Sequence, residues 1–306
     1  MCIGNFDGVH IGHQELLAET LKLARSVGGP AVVLTLQPHP MRLLNPQKMP
    51  EPICRPADKL SWLARAGADI VIVQPTRTEI LKLSPQEFLD RLVLKHIGPK
   101  WIVEGQSFRF GLNRSGDVNL LQELTDSRNF QLRVLGPVQA DLGPDGKFTV
   151  SSSLIRELLR SGLVAQARHC LGRPHVITGI VAPGARRGRK LGLPTANLDR
   201  IEQLTPAEAV YAGRGWVGGK CYPAAISVGT AVTFDHGERL LEAILLDFDE
   251  DIYGQQMHLQ FYLHLRQQLR FAGPAELAEQ IRADCKKVKQ LLENGEIEIP
   301  PTEPDQ

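Results

Sequence analysis

Several things are scarce in this chain of 306 residues, and each shortage excludes a class of protein. The cysteines, Cys2, Cys54, Cys170, Cys221 and Cys285, are few, odd in number and widely scattered. They write neither a disulfide framework nor a cysteine zinc site, and a reducing cytoplasm is the expected setting. No apolar run approaches the ~20 residues of a membrane-spanning helix, and no secretory segment is visible. Charge of one sign is not in excess: 35 Lys and Arg stand against 34 Asp and Glu, a formal net charge of +1. Nothing global therefore calls for nucleic acid or an anionic membrane, and any basic site is local. Internal repeats are absent as well. What remains is 42% hydrophobic residues over a length that suits about two domains, each with material for a core.

The stretch Gly4-Asn5-Phe6-Asp7-Gly8-Val9-His10-Ile11-Gly12-His13 follows a short apolar start and precedes Leu16, Leu17, Leu21 and Leu23 at helical spacing. The order strand, turn, helix puts two histidines where first-turn amides are unpaired and carry partial positive charge, so an anion belongs there. Gly8 and Gly12 permit close backbone approach, while Asn5 and Asp7 can hold the turn. A zinc reading of His10 and His13 finds only Asp7 as a further ligand and ranks below phosphate binding.

Further along, an apolar run at Ala31 to Leu36 ends at Pro38-His39-Pro40, and helical spacing returns near Asp58 to Ala66. An apolar strand at Ala68 to Val73, a capped helix start at Ser84-Pro85-Gln86-Glu87, a strand at Trp101 to Val103, a helix near Asp117 to Leu124 and a strand at Gln131 to Leu135 follow. This alternation predicts a doubly wound α/β first half with a parallel sheet. Ser151-Ser152-Ser153-Leu154-Ile155-Arg156 starts another helix; its serines are either simple caps or, with Arg156, a second phosphate-binding helix start aimed at the same anion as the histidines. Beyond about Gly162, short β-rich runs at Val176 to Val181, Val210 to Trp216, Ala224 to Val228, Leu241 to Phe248 and Met257 to Tyr262 predict an antiparallel sheet or barrel. A helix over Pro274 to Leu292 and a disordered tail close the chain.

Two features of the second half carry chemistry. In Gly184-Ala185-Arg186-Arg187-Gly188-Arg189-Lys190-Leu191-Gly192-Leu193-Pro194-Thr195-Ala196-Asn197, glycines and cations share one loop that could be a solvated surface or could wrap a polyphosphate. Thr195 and Asn197 add hard oxygens suited to magnesium. Glu242 stands near the start of an apolar run, either as an inert outward carboxylate or, facing Thr195, as the acceptor of a proton from an attacking hydroxyl.

Taken together, these motifs resemble the bacterial bifunctional riboflavin kinase and FMN adenylyltransferase, or FAD synthetase, family. Gly4 to His13 resembles its HxGH signature, Thr35 to Pro40 its strand and Pro-His-Pro, Phe108-Arg109-Phe110-Gly111 its Phe-Arg-Phe-Gly, and Ser151 to Arg156 its Ser-Ser-Thr-x-Ile-Arg motif. Leu171-Gly172-Arg173-Pro174 resembles the start of the kinase module, Gly192 to Leu198 its Gly-Phe-Pro-Thr-Ala-Asn-Leu motif, and Glu242 with Leu245 to Gly254 its catalytic strand. The resemblance implies a Rossmann-like nucleotidyltransferase domain of HxGH type over residues 1–162, a small antiparallel β-barrel kinase domain with a C-terminal helix over 163–292, and a disordered tail over 293–306. It implies riboflavin, FMN and ATP as substrates, Mg2+ as the ion accompanying ATP, and no nucleic-acid, membrane or protein partner.

By the same resemblance, His10, His13, Arg156 and Glu242 are catalytic. Gly4, Asn5, Phe6, Asp7, Gly8, Ser151, Ser152, Gly184, Arg186, Gly188, Lys190, Gly192 and Pro194 bind ATP or phosphate, and Thr195 and Asn197 hold Mg2+. Ser107, Phe108, Phe110 and Arg266 contact flavin. The chain departs from the family at Glu104-Gly105-Gln106-Ser107, at Gly229 to Thr233, which lacks an Arg-Pro pair, and at Arg266-Gln267-Gln268, which lacks an acidic residue. It also has only Met1 to Ile3 before Gly4, where the family has most of a first strand; a shortened central strand beside the histidines is expected, with a misassigned start codon as the favoured explanation. A single-activity nucleotidyltransferase with a β-rich binding domain and a nonenzymatic flavin- or nucleotide-binding regulator are the competing readings.

Overall fold

The computed structural model describes residues 1–143, 146–183, 194–230 and 239–297. These fall into two compact units, Met1–Glu51 with Pro56–Ser151, and Pro52–Arg55 with the residues from Ser152 onward.

The first unit is built on parallel strands. β1 (Cys2–Ile3) pairs with β2 (Val32–Gln37), which pairs with β3 (Ile70–Pro75), and β4 (Trp101–Gly105) pairs with β5 (Gln131–Leu135). Met1 joins the two ladders: its carbonyl accepts from Val103 N–H at 2.9 Å, and its nitrogen donates to the Trp101 carbonyl at 2.7 Å. The resulting order β3-β2-β1-β4-β5 reverses direction at β1, and open α/β sheets bind ligands in the crevice beyond the strand ends at such a point. Cys2, Val33, Leu34, Ile102 and Val103 are almost wholly buried, as the unbroken apolar reading of parallel strands requires. Removing each such side chain from water stabilises the unit by about 1.5–3 kcal/mol before chain entropy is counted.

The expected helices form where their caps are written. Helix Ile11–Ser26 buries Leu16, Leu17, Thr20 and Ala24. Ser84 and Glu87 make both bonds of a capping box, and the Asp117 carboxylate accepts from the Asn119 and Leu120 N–H groups ahead of helix Val118–Arg128. A π-helical turn, Phe88–Leu94, follows the capping box and sinks Phe88, Leu89 and Val93 into the core. A hairpin of β6 (Gln139–Asp141) and β7 (Lys147–Thr149) was not legible in the sequence, because each strand is three residues long and largely exposed.

The second unit begins with helices Ser152–Arg160 and Val164–Leu171 and closes a six-strand antiparallel barrel. Its strands are β8 (His175–Ala182), β9 (Ala196–Asp199), β10 (Ala209–Val217), β11 (Lys220–Thr230), β12 (Arg239–Leu245) and β13 (Gln256–Arg266). Around the barrel they run β10-β11-β12-β9-β8-β13. Five of them lie where the β-rich runs predicted; β9 is the addition. On β11 the fully buried Ala224, Ile226 and Val228 occupy every second position, the period-2 spacing of a strand, and Ala225 between them is buried on the opposite face. Helix Pro274–Glu293 packs Val288 and Leu291 with Ala212, Ala225 and Tyr262. A tail was expected from residue 293, yet Glu293 closes this helix and Ile297 is buried in the same cluster; 298–306 lie outside the described residues.

His175, at the start of β8, is fully buried and donates Nε2–H to the Leu204 carbonyl at 2.8 Å. Burial pushes its pKa down from 6.5 to about 4. The unfolded chain therefore binds this proton more readily, so stability from this residue is full above pH 6.5 and drains as pH falls toward 4, by about 3 kcal/mol in total. His175→Gln, which keeps a donor without the titration, is expected to flatten the fall in urea midpoint between pH 7 and pH 4.5; an identical fall in both proteins would contradict this.

Candidate active sites

β1 ends at Ile3, and Gly4 to Val9 form a turn that returns the chain to helix Ile11–Ser26. Gly4 N–H still bonds the Leu34 carbonyl at 3.0 Å, after which Phe6, Gly8 and Val9 take φ values of 51°, 81° and 37°. Positive φ is routine for glycine but strained for phenylalanine and valine, so the surroundings must hold the turn. Phe6 does so by burial, at 1% exposure, and by an edge contact to His13. Gln14 Nε2 donates to the Val9 carbonyl at 2.9 Å, and Asn5 Nδ2 lies 3.1 Å from His39 Nε2, which ties the Pro38-His39-Pro40 segment to the turn.

His10 is the N-cap of the helix. Its Nδ1 accepts from His13 N–H at 3.3 Å, which places the proton of the neutral ring on Nε2. The two imidazoles stack with centroids 3.6 Å apart and planes 17° from parallel. Two ring donors and the first-turn amides thus gather at one helix start, a preorganised arrangement for charge that develops on phosphate oxygens. Gly12 makes the stack possible: a Cβ there would lie 3.2 Å from His10 Nδ1. The tight spacing means alanine must push the ring aside.

The other residues expected to act in the first unit are placed unevenly. Ser107 and Phe108 follow the carboxyl end of β4, beside that of β1, with Ser107 exposed and Phe108 half-buried. Phe110 is core: at 6% exposure it packs between Phe88 and Phe108, with centroids 5.8 Å and 5.4 Å away. Ser151 is the last residue of the first unit, whereas Ser152 and the buried Arg156 belong to the helix that opens the second.

In the barrel, β9 and β12 pair so that Asn197 stands directly opposite Glu242, and Ser227 on β11 stands opposite Glu242 from the other side. Opposite residues share a sheet face with Cβ atoms about 4.5–5.5 Å apart. Thr195 immediately precedes β9 and is half-buried, like Glu242. Asn197 and Glu242 therefore lie in one row across the barrel, with Thr195 two residues before Asn197, and these hard oxygens are of the kind that fits magnesium carried by nucleotide phosphates. Among the described residues no cluster of three or more His, Cys, Asp or Glu could hold a metal unaided. Beside this row, Pro194, Ile244, Leu246, Phe248, Cys285 and Lys289 line a cavity of about 630 Å³, within the range of small-molecule sites. Arg266 is committed elsewhere: its guanidinium grips Asp284 at 2.6 and 2.9 Å, tying β13 to the last helix. Gly184, Arg186, Gly188, Lys190 and Gly192 lie outside the described residues.

Sequence reasoning missed Lys59 and Thr35, which sit under the histidine turn; Lys59 reads as one more polar residue of an amphipathic helix, and only its 8% exposure marks it.

A parallel sheet with paired histidines at its switch point, and a closed barrel with a carboxylate facing an Asn on the neighbouring strand, define a two-module enzyme of phosphorus-group transfer. Comparison with known proteins gives the particular family. The sequence model of FAD synthetase matches residues 1–152, and that of riboflavin kinase matches residues 171–292. The bifunctional riboflavin kinase/FMN adenylyltransferase of Escherichia coli (strain K12) is 34% identical over 285 residues, covering 93% of this chain and 90% of that protein. The protein of the same name from Bacillus subtilis (strain 168) is 30% identical, covering 96% and 92%. A crystal structure titled as a macrolide-efflux protein from Streptococcus pneumoniae superposes with a TM-score of 0.84 at 31% identity, covering 94% and 93%. The chain belongs to the bifunctional riboflavin kinase/FMN adenylyltransferase family.

Because His10 accepts at Nδ1, its neutral ring should show the Nε2-protonated pattern in 15N spectra, and Gly12→Ala should displace those signals. Unchanged His10 resonances in that variant would contradict the packing described.

Proposed function

We infer that this chain makes FAD from riboflavin in two ATP-dependent steps, with residues 163–292 as the kinase module and 1–162 as the adenylyltransferase module. In the first step the ribityl hydroxyl of riboflavin attacks the γ-phosphorus of ATP, its proton passes to the Glu242 carboxylate, and FMN and ADP are formed. In the second, a phosphate oxygen of FMN attacks the α-phosphorus of ATP and pyrophosphate leaves. Neither step asks the protein for a covalent intermediate, only for alignment and neutralisation of charge. The observation that carries the reading is the pairing of Asn197 with Glu242 in one unit, with the stacked His10 and His13 at the sheet switch point of the other.

Each residue has a task consistent with its place. His10 Nε2–H, His13 and the turn amides beyond Gly4, up to Gly8, donate to ATP phosphates, Gly4 giving the backbone close approach while its own N–H stays with the Leu34 carbonyl, and His10 and His13 stabilise the charge of the adenylyl transition state. Ser151, Ser152 and Arg156 supply further donors to the triphosphate. Thr195 and Asn197 hold Mg2+ with its nucleotide, and the ion when bound neutralises phosphate charge. The cavity beside them, apolar at Ile244, Leu246 and Phe248, suits an isoalloxazine ring. Ser107 and Phe108 are the flavin contacts of the first unit, while the burial of Phe110 and the Asp284 pairing of Arg266 support positioning roles for those two. The expected setting is the cytoplasm, with free flavins and ATP as the partners. Among the described residues no helix is long and apolar enough to cross a membrane.

Purified protein given riboflavin, ATP and magnesium should form FMN and then FAD, resolved chromatographically. Glu242→Gln is expected to slow FMN formation by about 10²-fold or more while still converting supplied FMN to FAD. His10→Ala is expected to slow FAD formation by about 10²-fold and leave FMN formation intact. If either variant leaves its own step unchanged, that residue's role is wrong.

A further inference from the structure

Beneath the histidine turn lies a cation that the reaction scheme above does not use. Lys59, on helix Pro56–Arg65, is 8% exposed, an unusual state for a lysine. Within the first unit its Nζ donates to the Asn5 carbonyl at 3.3 Å and to Thr35 Oγ1 at 3.1 Å. Thr35 is fully buried on β2 and turns its own hydroxyl toward the same carbonyl, at 3.4 Å. Ammonium and hydroxyl therefore converge on one peptide group, the one that joins Asn5 to Phe6 and begins the run of positive φ.

That peptide has two ends. Its carbonyl faces Lys59 and Thr35, and its N–H is that of Phe6, in the turn that carries His10 and His13. A carbonyl held by a charged donor polarises its own amide, so the N–H becomes a stronger donor to an anion. The same contact opposes relaxation of Phe6 at φ 51° and Val9 at φ 37°, which would otherwise regain an ordinary conformation. We propose that Lys59 is a positioning residue for adenylyl transfer, fixing the Asn5–Phe6 peptide, and through it the strained Gly4–Val9 turn, in the form that receives the phosphates of ATP. This rests on the first unit being the adenylyltransferase. Thr35 is the neutral half of the device, and Asn5, held by His39 at the side chain and by Lys59 at the backbone, is the residue on which it acts.

The test uses the full chain as wild type, Lys59→Met and Thr35→Val, with two readouts. Amide hydrogen exchange of a peptide covering residues 4–10, measured without ATP or flavin, is expected to quicken about tenfold in Lys59→Met and less in Thr35→Val. The kcat for FAD formation from FMN is expected to fall about 10- to 100-fold in Lys59→Met with KM for FMN within about twofold, since a misplaced donor set acts on the transition state. Exchange and kcat both unchanged, or a loss confined to melting temperature, would assign Lys59 to structure alone and overturn the proposal. Should Lys59→Met not fold, Thr35→Val decides, because it only exchanges a hydroxyl for a methyl of similar size; unchanged exchange and kcat there overturn the proposal equally. A wild-type protein that makes no FAD would sink the adenylyltransferase reading, whereas the exchange result stands apart from activity and reports on the turn alone.

Discussion

A turn that must keep Phe6, Gly8 and Val9 at positive φ while presenting two stacked imidazoles is the constraint around which the first unit is organised. Left alone, such a turn would relax, since each strained non-glycine residue costs on the order of 1–3 kcal/mol. It persists because neighbouring elements each hold one of its groups. The Leu34 carbonyl on β2 takes the Gly4 N–H, Lys59 and Thr35 donate to the Asn5 carbonyl, His39 Nε2 meets the Asn5 side-chain amide at 3.1 Å, and Gln14 donates to the Val9 carbonyl. The sheet order brings β1 and β4 side by side, so the turn and the Ser107–Phe108 segment leave from adjacent strand ends. The position of the site follows from the topology, and its shape follows from the strain.

The barrel solves a different problem with different means. In the proposed kinase step the Glu242 carboxylate must sit close to the oxygens assigned to the nucleotide, and a strand pair sets such a distance more firmly than loops do. Asn197 and Glu242 meet because β9 and β12 register them as opposite residues, and the closed barrel leaves no free edge along which that register could slip. The last helix, tied through Asp284 to Arg266 and packed by Val288 and Leu291, forms one wall of the neighbouring cavity.

Much of this was legible in the sequence where local rules dominate. The helix after the histidines, the Ser84 helix start, the helix near Asp117, β5 and five barrel strands follow from spacing and capping that a single segment carries by itself. What was not legible depends on partners distant in the chain. β9 spans only Ala196 to Asp199, with Asn197 in its middle, and reads as loop until β8 and β12 pair with it on either side. Phe110 resembles a ligand contact in its motif and is a core ring in the fold. Lys59 is invisible for the same reason: nothing in its own helix says that its ammonium is buried against Asn5, 54 residues earlier.

Two phosphorus transfers from ATP in one chain leave different isotopic marks, and following them is the most direct measurement. With riboflavin, magnesium and ATP labelled at the γ-phosphorus, label should appear in FMN and persist in FAD; with ATP labelled at the α-phosphorus, it should appear in FAD and never in FMN. Label from the α position in no flavin, or from the γ position in none, would contradict the assignment of one transfer to each unit.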